Sequence, residues 1–112
     1  QNLDEILSVP GLDAIYIGPS DLSQSLGFAP RVDPTEPKVV ETVDHILAGC
    51  RKHGIVAGMH TGAPAYAKQM IEKGVQFVTI GSDARLMAAA ASAVVAEMKG
   101  GKKELETQKG PY

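Results

Sequence analysis

Three short stretches place small, polar or acidic residues directly after apolar runs: Gly18-Pro19-Ser20-Asp21, His60-Thr61-Gly62 and Gly81-Ser82-Asp83. Asp21 is the strongest candidate for chemistry. A carboxylate at the end of a buried strand can ligate a hard cation such as Mg²⁺. Such an ion takes one or two protein carboxylates and fills its shell with water and substrate oxygens. The competing reading is an Asp that caps the turn after Pro19, and position alone does not separate the two. Ser20 and Asp21 also offer consecutive backbone N–H groups. These can hold a substrate carboxylate, as backbone nests do, or belong to an ordinary tight turn. Gly18 lets the backbone approach closely, and Pro19 fixes the turn.

His60 closes the second apolar run and could transfer a proton or line a pocket. The plainer reading is a histidine held by packing or a hydrogen bond. His45 and His53 fall on a helical pattern and read as surface residues. Asp83 reads as a helix cap. Gly81-Ser82 could meet an anion at a helix start, although that signal is generic.

The elements that must position these residues follow from periodicity and punctuation. Leu3, Ile6 and Leu7 recur at helical spacing, and Pro10-Gly11 stops that helix. Ala14 to Ile17 reads as a strand. Residues 18–35 hold Gly18, Pro19, Gly27, Pro30 and Pro34 and read as a long functional loop. A helix follows from Glu36 or Pro37 to His53, with Thr35 or Asp33 as cap. Its apolar stripe runs through Val39, Val40, Val43, Ile46, Leu47 and Cys50, and Gly54 ends it. Ile55 to Met59 is the second strand, Pro64 to Lys73 the third helix, and Gln76 to Ile80 the third strand. Ala84 to Lys99 is the last helix, capped by Ser82 or Asp83.

The strands are short, apolar and poorly alternating, the pattern of parallel strands buried on both faces. Helices crossing between them make βαβ units. In such folds ligands meet the carboxyl ends of the strands, so the three polar stretches should share one rim. The expected class is α/β, three parallel βα units of a (β/α)₈ barrel. Such a barrel needs about 200 residues or more, and this chain has 112. It also opens on Gln1, in what reads as the end of a helix. Residues 1–99 are therefore expected to be the C-terminal part of a barrel domain, and 100–112 a polar tail.

The net charge of −2 is spread along the chain and excludes a basic nucleic-acid footprint. The run from Lys99 to Lys103 reads as solvated. The single cysteine, Cys50, excludes an internal disulfide and reads as a small buried apolar residue. No apolar run reaches the ~20 residues of a membrane span, and no signal peptide is visible, so a cytoplasmic protein is expected. The alanine-rich last helix permits close packing, against the barrel wall or across a subunit boundary.

The stretch "NLDEILSVPGLDAIYIGPSDLSQSLG" closely resembles the class II pyruvate aldolases of the HpcH/HpaI aldolase family. "GPSDLS" is its most specific part, and "FVTIGSDARLM" and "KGPY" are similar to the family's last strand, last helix and tail. The resemblance implies a metal-dependent barrel that makes or breaks C–C bonds with pyruvate, using Mg²⁺, Mn²⁺ or Co²⁺ as Lewis acid to stabilise the enolate. By resemblance, Asp21 is a metal ligand and the amides of Ser20 and Asp21, beside Pro19, hold the pyruvate carboxylate. His60 lines the acceptor side as a specificity residue. The family's second metal ligand, a Glu, and its essential Arg and His would precede Gln1. No catalytic residue is assigned within this chain, and the chain alone is expected to be inactive. The resemblance also implies a homo-oligomer, a hexamer, with a small 2-oxo acid and an aldehyde as substrates. The alternatives are a citryl-CoA or malyl-CoA lyase relative and a non-catalytic α/β interaction domain.

Overall fold

The computed structural model describes residues 2–100. The element order is α1 (Leu3–Leu7), β1 (Ala14–Ile17), α2 (Pro19–Ser25), α3 (Pro37–His53), β2 (Val56–Thr61), α4 (Pro64–Lys73), β3 (Phe77–Ile80) and α5 (Asp83–Met98). Gly54 and Gly74 end α3 and α4 in the left-handed region, at φ +68° and +114°. Glycine reaches that region without a steric penalty. The tail at 101–112 and its "KGPY" lie outside the described residues, as does most of the Lys99–Lys103 run.

The three strands form one parallel sheet in the order β1-β2-β3. Ile17 pairs with Met59, and Met59 with Val78. On the face carrying those residues, Ile17, Ala57 and Met59 are buried against Leu7, Val43, Leu47, Cys50, Met70 and Val75. This is the core, built where the apolar stripes of α3 and α4 cover the sheet. Cys50 lies in it as expected, and burial pushes its thiol pKa up. At the far end of α3, Asp4 accepts from His53 Nε2 at 2.8 Å and from Lys52 Nζ at 3.2 Å. Those two bonds hold the Asp4 carboxyl below its ordinary pKa.

Four expectations change. The stretch 18–35 is not one loop: Pro19–Ser25 forms α2, with Pro19 in its first turn. A proline there costs no hydrogen bond, because the first-turn N–H groups have no intrahelical acceptor. The N-cap of α3 is Glu36, with no side-chain cap from Thr35 or Asp33. His60 and Thr61 belong to β2 rather than to the turn after it. Finally, only β2 is covered on both faces. Tyr16 on β1 and Phe77 on β3 stay 51% and 57% exposed. Tyr16 pairs with Gly58, and Gly58 with Phe77, so these residues share the second face of the sheet. In a closed (β/α)₈ barrel that face looks into the barrel.

Helix α5 buries none of its described residues, and Leu86, Met87 and Met98 stay 64%, 72% and 83% exposed. Ser82 is its cap, accepting from the Arg85 N–H at 3.3 Å, while Asp83 opens the first turn.

Candidate functional site at the carboxyl rim

The carboxyl ends of the strands do share a rim. A cavity of about 440 Å³ there is lined by Tyr16, Gly18, Pro19, Ser20, Asp21, His60 and Ser82. Pro19, Ser20 and Asp21 reach it from the junction of β1 with α2, His60 from β2, and Ser82 from the turn after β3. Thr61, Gly62, Gly81 and Asp83 do not line it. Thr61 is buried on the opposite face, and its hydroxyl donates to the Thr79 carbonyl at 2.9 Å.

Ser20 and Asp21 sit in the first turn of α2 rather than in a free turn. Their amides therefore lie at the positive end of a short helix dipole, a favourable setting for an anion. Ser20 is buried, whereas Asp21 is exposed at the rim. The Asp21 carboxylate folds back over Gly18. A Cβ added to Gly18 would come within 2.6 Å of Asp21 Oδ2, so only glycine leaves that space. Among the described residues, Asp21 is the one carboxylate lining the cavity. Among the described residues, no three His, Cys, Asp or Glu side chains converge as a metal cluster. A hard cation would therefore take one protein ligand from this rim.

His60 is half-buried, and its Nδ1 is hydrogen-bonded to Thr79 Oγ1 at 2.8 Å. Thr79 Oγ1 is in turn hydrogen-bonded to the Tyr16 hydroxyl. Tyr16 and Thr79 were not among the candidates read from the sequence. The available signal was modest: each is the polar-tipped residue in an otherwise apolar strand, "AIYI" and "FVTI".

A polar strap supports the rim from outside. Asp33 Oδ1 accepts the Gly62 N–H at 2.7 Å, which ties the segment between α2 and α3 to the end of β2. The Tyr66 hydroxyl donates to the Pro34 carbonyl at 3.1 Å. Burial, then the carboxylates of Asp33, Asp44 and Glu36, push the Tyr66 phenol up to about 12.

Parallel βα units with a cavity at the strand carboxyl ends define part of a (β/α)₈-barrel protein with its site on that rim. The sequence profile of the HpcH/HpaI aldolase/citrate lyase family matches residues 1–90, and the chain belongs to that family. It is 39% identical over 98 residues to a hydroxypyruvate/pyruvate aldolase of Rhizorhabdus wittichii, covering 88% of this chain and 39% of the relative. It is 37% identical over 111 residues to a 4-hydroxy-2-oxo-heptane-1,7-dioate aldolase of Salmonella paratyphi B, covering 99% and 41%. The chain thus spans about two-fifths of the length of these relatives.

Among solved structures, an HpcH/HpaI aldolase from Desulfitobacterium hafniense superposes with a TM-score of 0.78 at 30% identity, over 88% of this chain and 38% of that one. The citrate synthase SbnG superposes with a TM-score of 0.75 at 31% identity, over 88% and 39%. The family is one of aldolases and citrate lyases, and the similar proteins are named as aldolases and a citrate synthase. No helix among the described residues is long and apolar enough to cross a membrane.

Proposed function

We propose that the protein containing this chain is a class II, metal-dependent pyruvate aldolase that cleaves a 4-hydroxy-2-oxo acid to pyruvate and an aldehyde. The observation that carries this reading is the cavity gathering Pro19, Ser20, Asp21 and His60 at the strand ends, in a chain of an aldolase and citrate lyase family. The names of the similar proteins support the substrate class.

The donor set fits a hard divalent cation, Mg²⁺, Mn²⁺ or Co²⁺. Asp21 offers an exposed carboxylate seated over Gly18, and such ions complete their shells with substrate oxygens and water. When bound, the ion supplies Lewis-acid polarisation of the 2-oxo group. The chain's own residues do the rest of the positioning. The amides of Ser20 and Asp21 hold the substrate carboxylate at the start of α2. Pro19 walls the same side, and the small Ser20 leaves room beside it. His60 faces the acceptor portion. As the C3–C4 bond breaks, the 4-hydroxyl loses its proton and becomes the aldehyde. The bonding pair stays on C3 as the pyruvate enolate, which a proton then converts to pyruvate.

In this reading the second carboxylate ligand and the base come from barrel strands beyond the three described here, and this chain alone is inactive. The protein is cytoplasmic and a homo-oligomer. The exposed Leu86, Met87, Val94, Val95 and Met98 of α5 support an assembly that covers that helix.

The test is cleavage of 4-hydroxy-2-oxoheptanedioate by the complete gene product, with pyruvate followed through lactate dehydrogenase. Release that stops with EDTA and returns with Mg²⁺ or Mn²⁺ supports the reading. No release, or release indifferent to EDTA, overturns it. The similarity to a citrate synthase favours a second reading, chemistry on citrate or its thioester relatives. Citrate formation or cleavage in place of pyruvate release would select that alternative.

A further inference from the structure

Tyr16, His60 and Thr79 come from three different strands and meet on the sheet face that carries the cavity. His60 pairs directly with Thr79 in the β2–β3 register, and Tyr16 pairs with Gly58, two residues before His60 on the same face. The Tyr16 hydroxyl is hydrogen-bonded to Thr79 Oγ1, which is hydrogen-bonded to His60 Nδ1 at 2.8 Å. The tyrosine is itself placed by packing. Gly58 leaves a slot in which an added Cβ would come within 2.9 Å of both the Tyr16 and Phe77 rings, and those rings lie 6.0 Å apart between centroids.

The hydrogen-bonded row can run in either sense. If Tyr16 donates to Thr79 and Thr79 to Nδ1, Nε2 carries the imidazole proton. If Nδ1 donates and the row reverses, Nε2 is an acceptor. Each sense selects one tautomer and one ring orientation. With Nδ1 engaged, Nε2 is the remaining polar atom of a ring that lines the cavity.

We propose that Tyr16 and Thr79 are positioning residues whose hydroxyls hold His60 so that Nε2 selects an aldehyde bearing a hydrogen-bonding group beside its carbonyl. The proposal rests on the aldolase reading and adds to it the class of acceptor. A site built to hydrogen-bond one substrate group discriminates against an analogue that lacks it, because the buried partner is then unmatched.

The experiment compares glycolaldehyde with propionaldehyde, two aldehydes of nearly equal size, as acceptors for pyruvate in the complete gene product. Product is quantified by chromatography. Loss of one well-placed hydrogen bond in Thr79→Val is expected to lower the glycolaldehyde-to-propionaldehyde ratio of kcat/KM by roughly five- to tenfold. Tyr16→Phe should lower it in the same direction, and Thr79→Ser should keep the parental ratio. A ratio unchanged in both Thr79→Val and Tyr16→Phe overturns the proposal, as does a parallel fall for both aldehydes.

Imidazole ¹⁵N shifts of His60 give a second readout that needs no turnover. One tautomer in the parent that becomes a mixture in Thr79→Val supports the positioning role; an averaged pair in the parent overturns it. If the parent turns over neither aldehyde, the aldolase reading fails and takes acceptor selection with it. The ¹⁵N spectrum still decides whether Tyr16 and Thr79 hold the ring.

Discussion

The carboxylate of Asp21 occupies the space where a side chain on Gly18 would begin, 2.6 Å from the Cβ position to Oδ2. Gly18 has φ −90° and ψ 99°, a conformation open to any residue, so its role is room rather than backbone freedom. Gly18→Ala should therefore fold and displace the carboxylate. Removing the support of a metal ligand typically costs about 10- to 100-fold in affinity or activity. A loss of that size in Mn²⁺ affinity by calorimetry, with an unchanged circular dichroism spectrum, is the expected result.

Asp21→Asn removes the charge without the shape. The complete protein should lose Mn²⁺ binding and pyruvate release together. The fold should lose little, because Asp21 is exposed in the first turn of α2, where a carboxylate's interaction with the helix dipole is worth about 0.3–1 kcal/mol. A thermal melt and a Mn²⁺ titration separate the two effects; unchanged titration would remove Asp21 from the ligand set.

Asp33 shows the opposite balance. It does not line the cavity, yet its Oδ1 takes the Gly62 N–H at 2.7 Å. Asp33→Ala leaves a half-buried amide unmatched, at a cost of about 1–3 kcal/mol. The urea midpoint should fall accordingly, and Mn²⁺ affinity should change less than in Asp21→Asn.

Tyr66 makes stability depend on alkaline pH. Its folded phenol, pushed up to about 12 from an ordinary 10.0 chiefly by burial, stays protonated where the unfolded one ionises. Because the folded value is raised, this contribution is full below pH 10 and lost as pH rises through about 12. Tyr66→Phe also loses the bond to the Pro34 carbonyl, worth about 0.5–1.5 kcal/mol. The parent should be the more stable at neutral pH, and its advantage over Tyr66→Phe in urea midpoint should shrink above pH 10. A constant gap up to pH 12 would contradict the assignment.

Much of the fold was legible along the chain. The apolar stripe Val39, Val43, Leu47, Cys50 recurs at helical spacing, and all four residues are buried in α3. Gly54 and Gly74 mark helix ends because glycine enters the left-handed region without strain. The short helix α2 was missed because Gly18, Pro19 and Gly27 together resemble a loop. Proline in a first turn and Leu22 and Leu26 at i and i+4 were the signal for it. The half-exposed faces of β1 and β3 were missed for another reason. "AIYI" and "FVTI" are apolar throughout, and composition does not say whether both faces are covered within one chain.

The sequence by itself determined the order of the strands and the other helices, the family and the polar stretches near each strand's carboxyl end, because these depend on neighbours a few positions apart. Capping, turn chemistry and periodicity are local, and "GPSDLS" is contiguous. The tertiary structure alone decided that Tyr16 meets Thr79, 63 positions away, and that Thr79 meets His60. It also decided that Asp33 serves Gly62 rather than capping α3. The row of Tyr16, Thr79 and His60 depends on the register of parallel strands. Register is set by how a buried face packs across the sheet, since a slip of one residue turns every side chain to the other side. No short stretch of sequence records that choice.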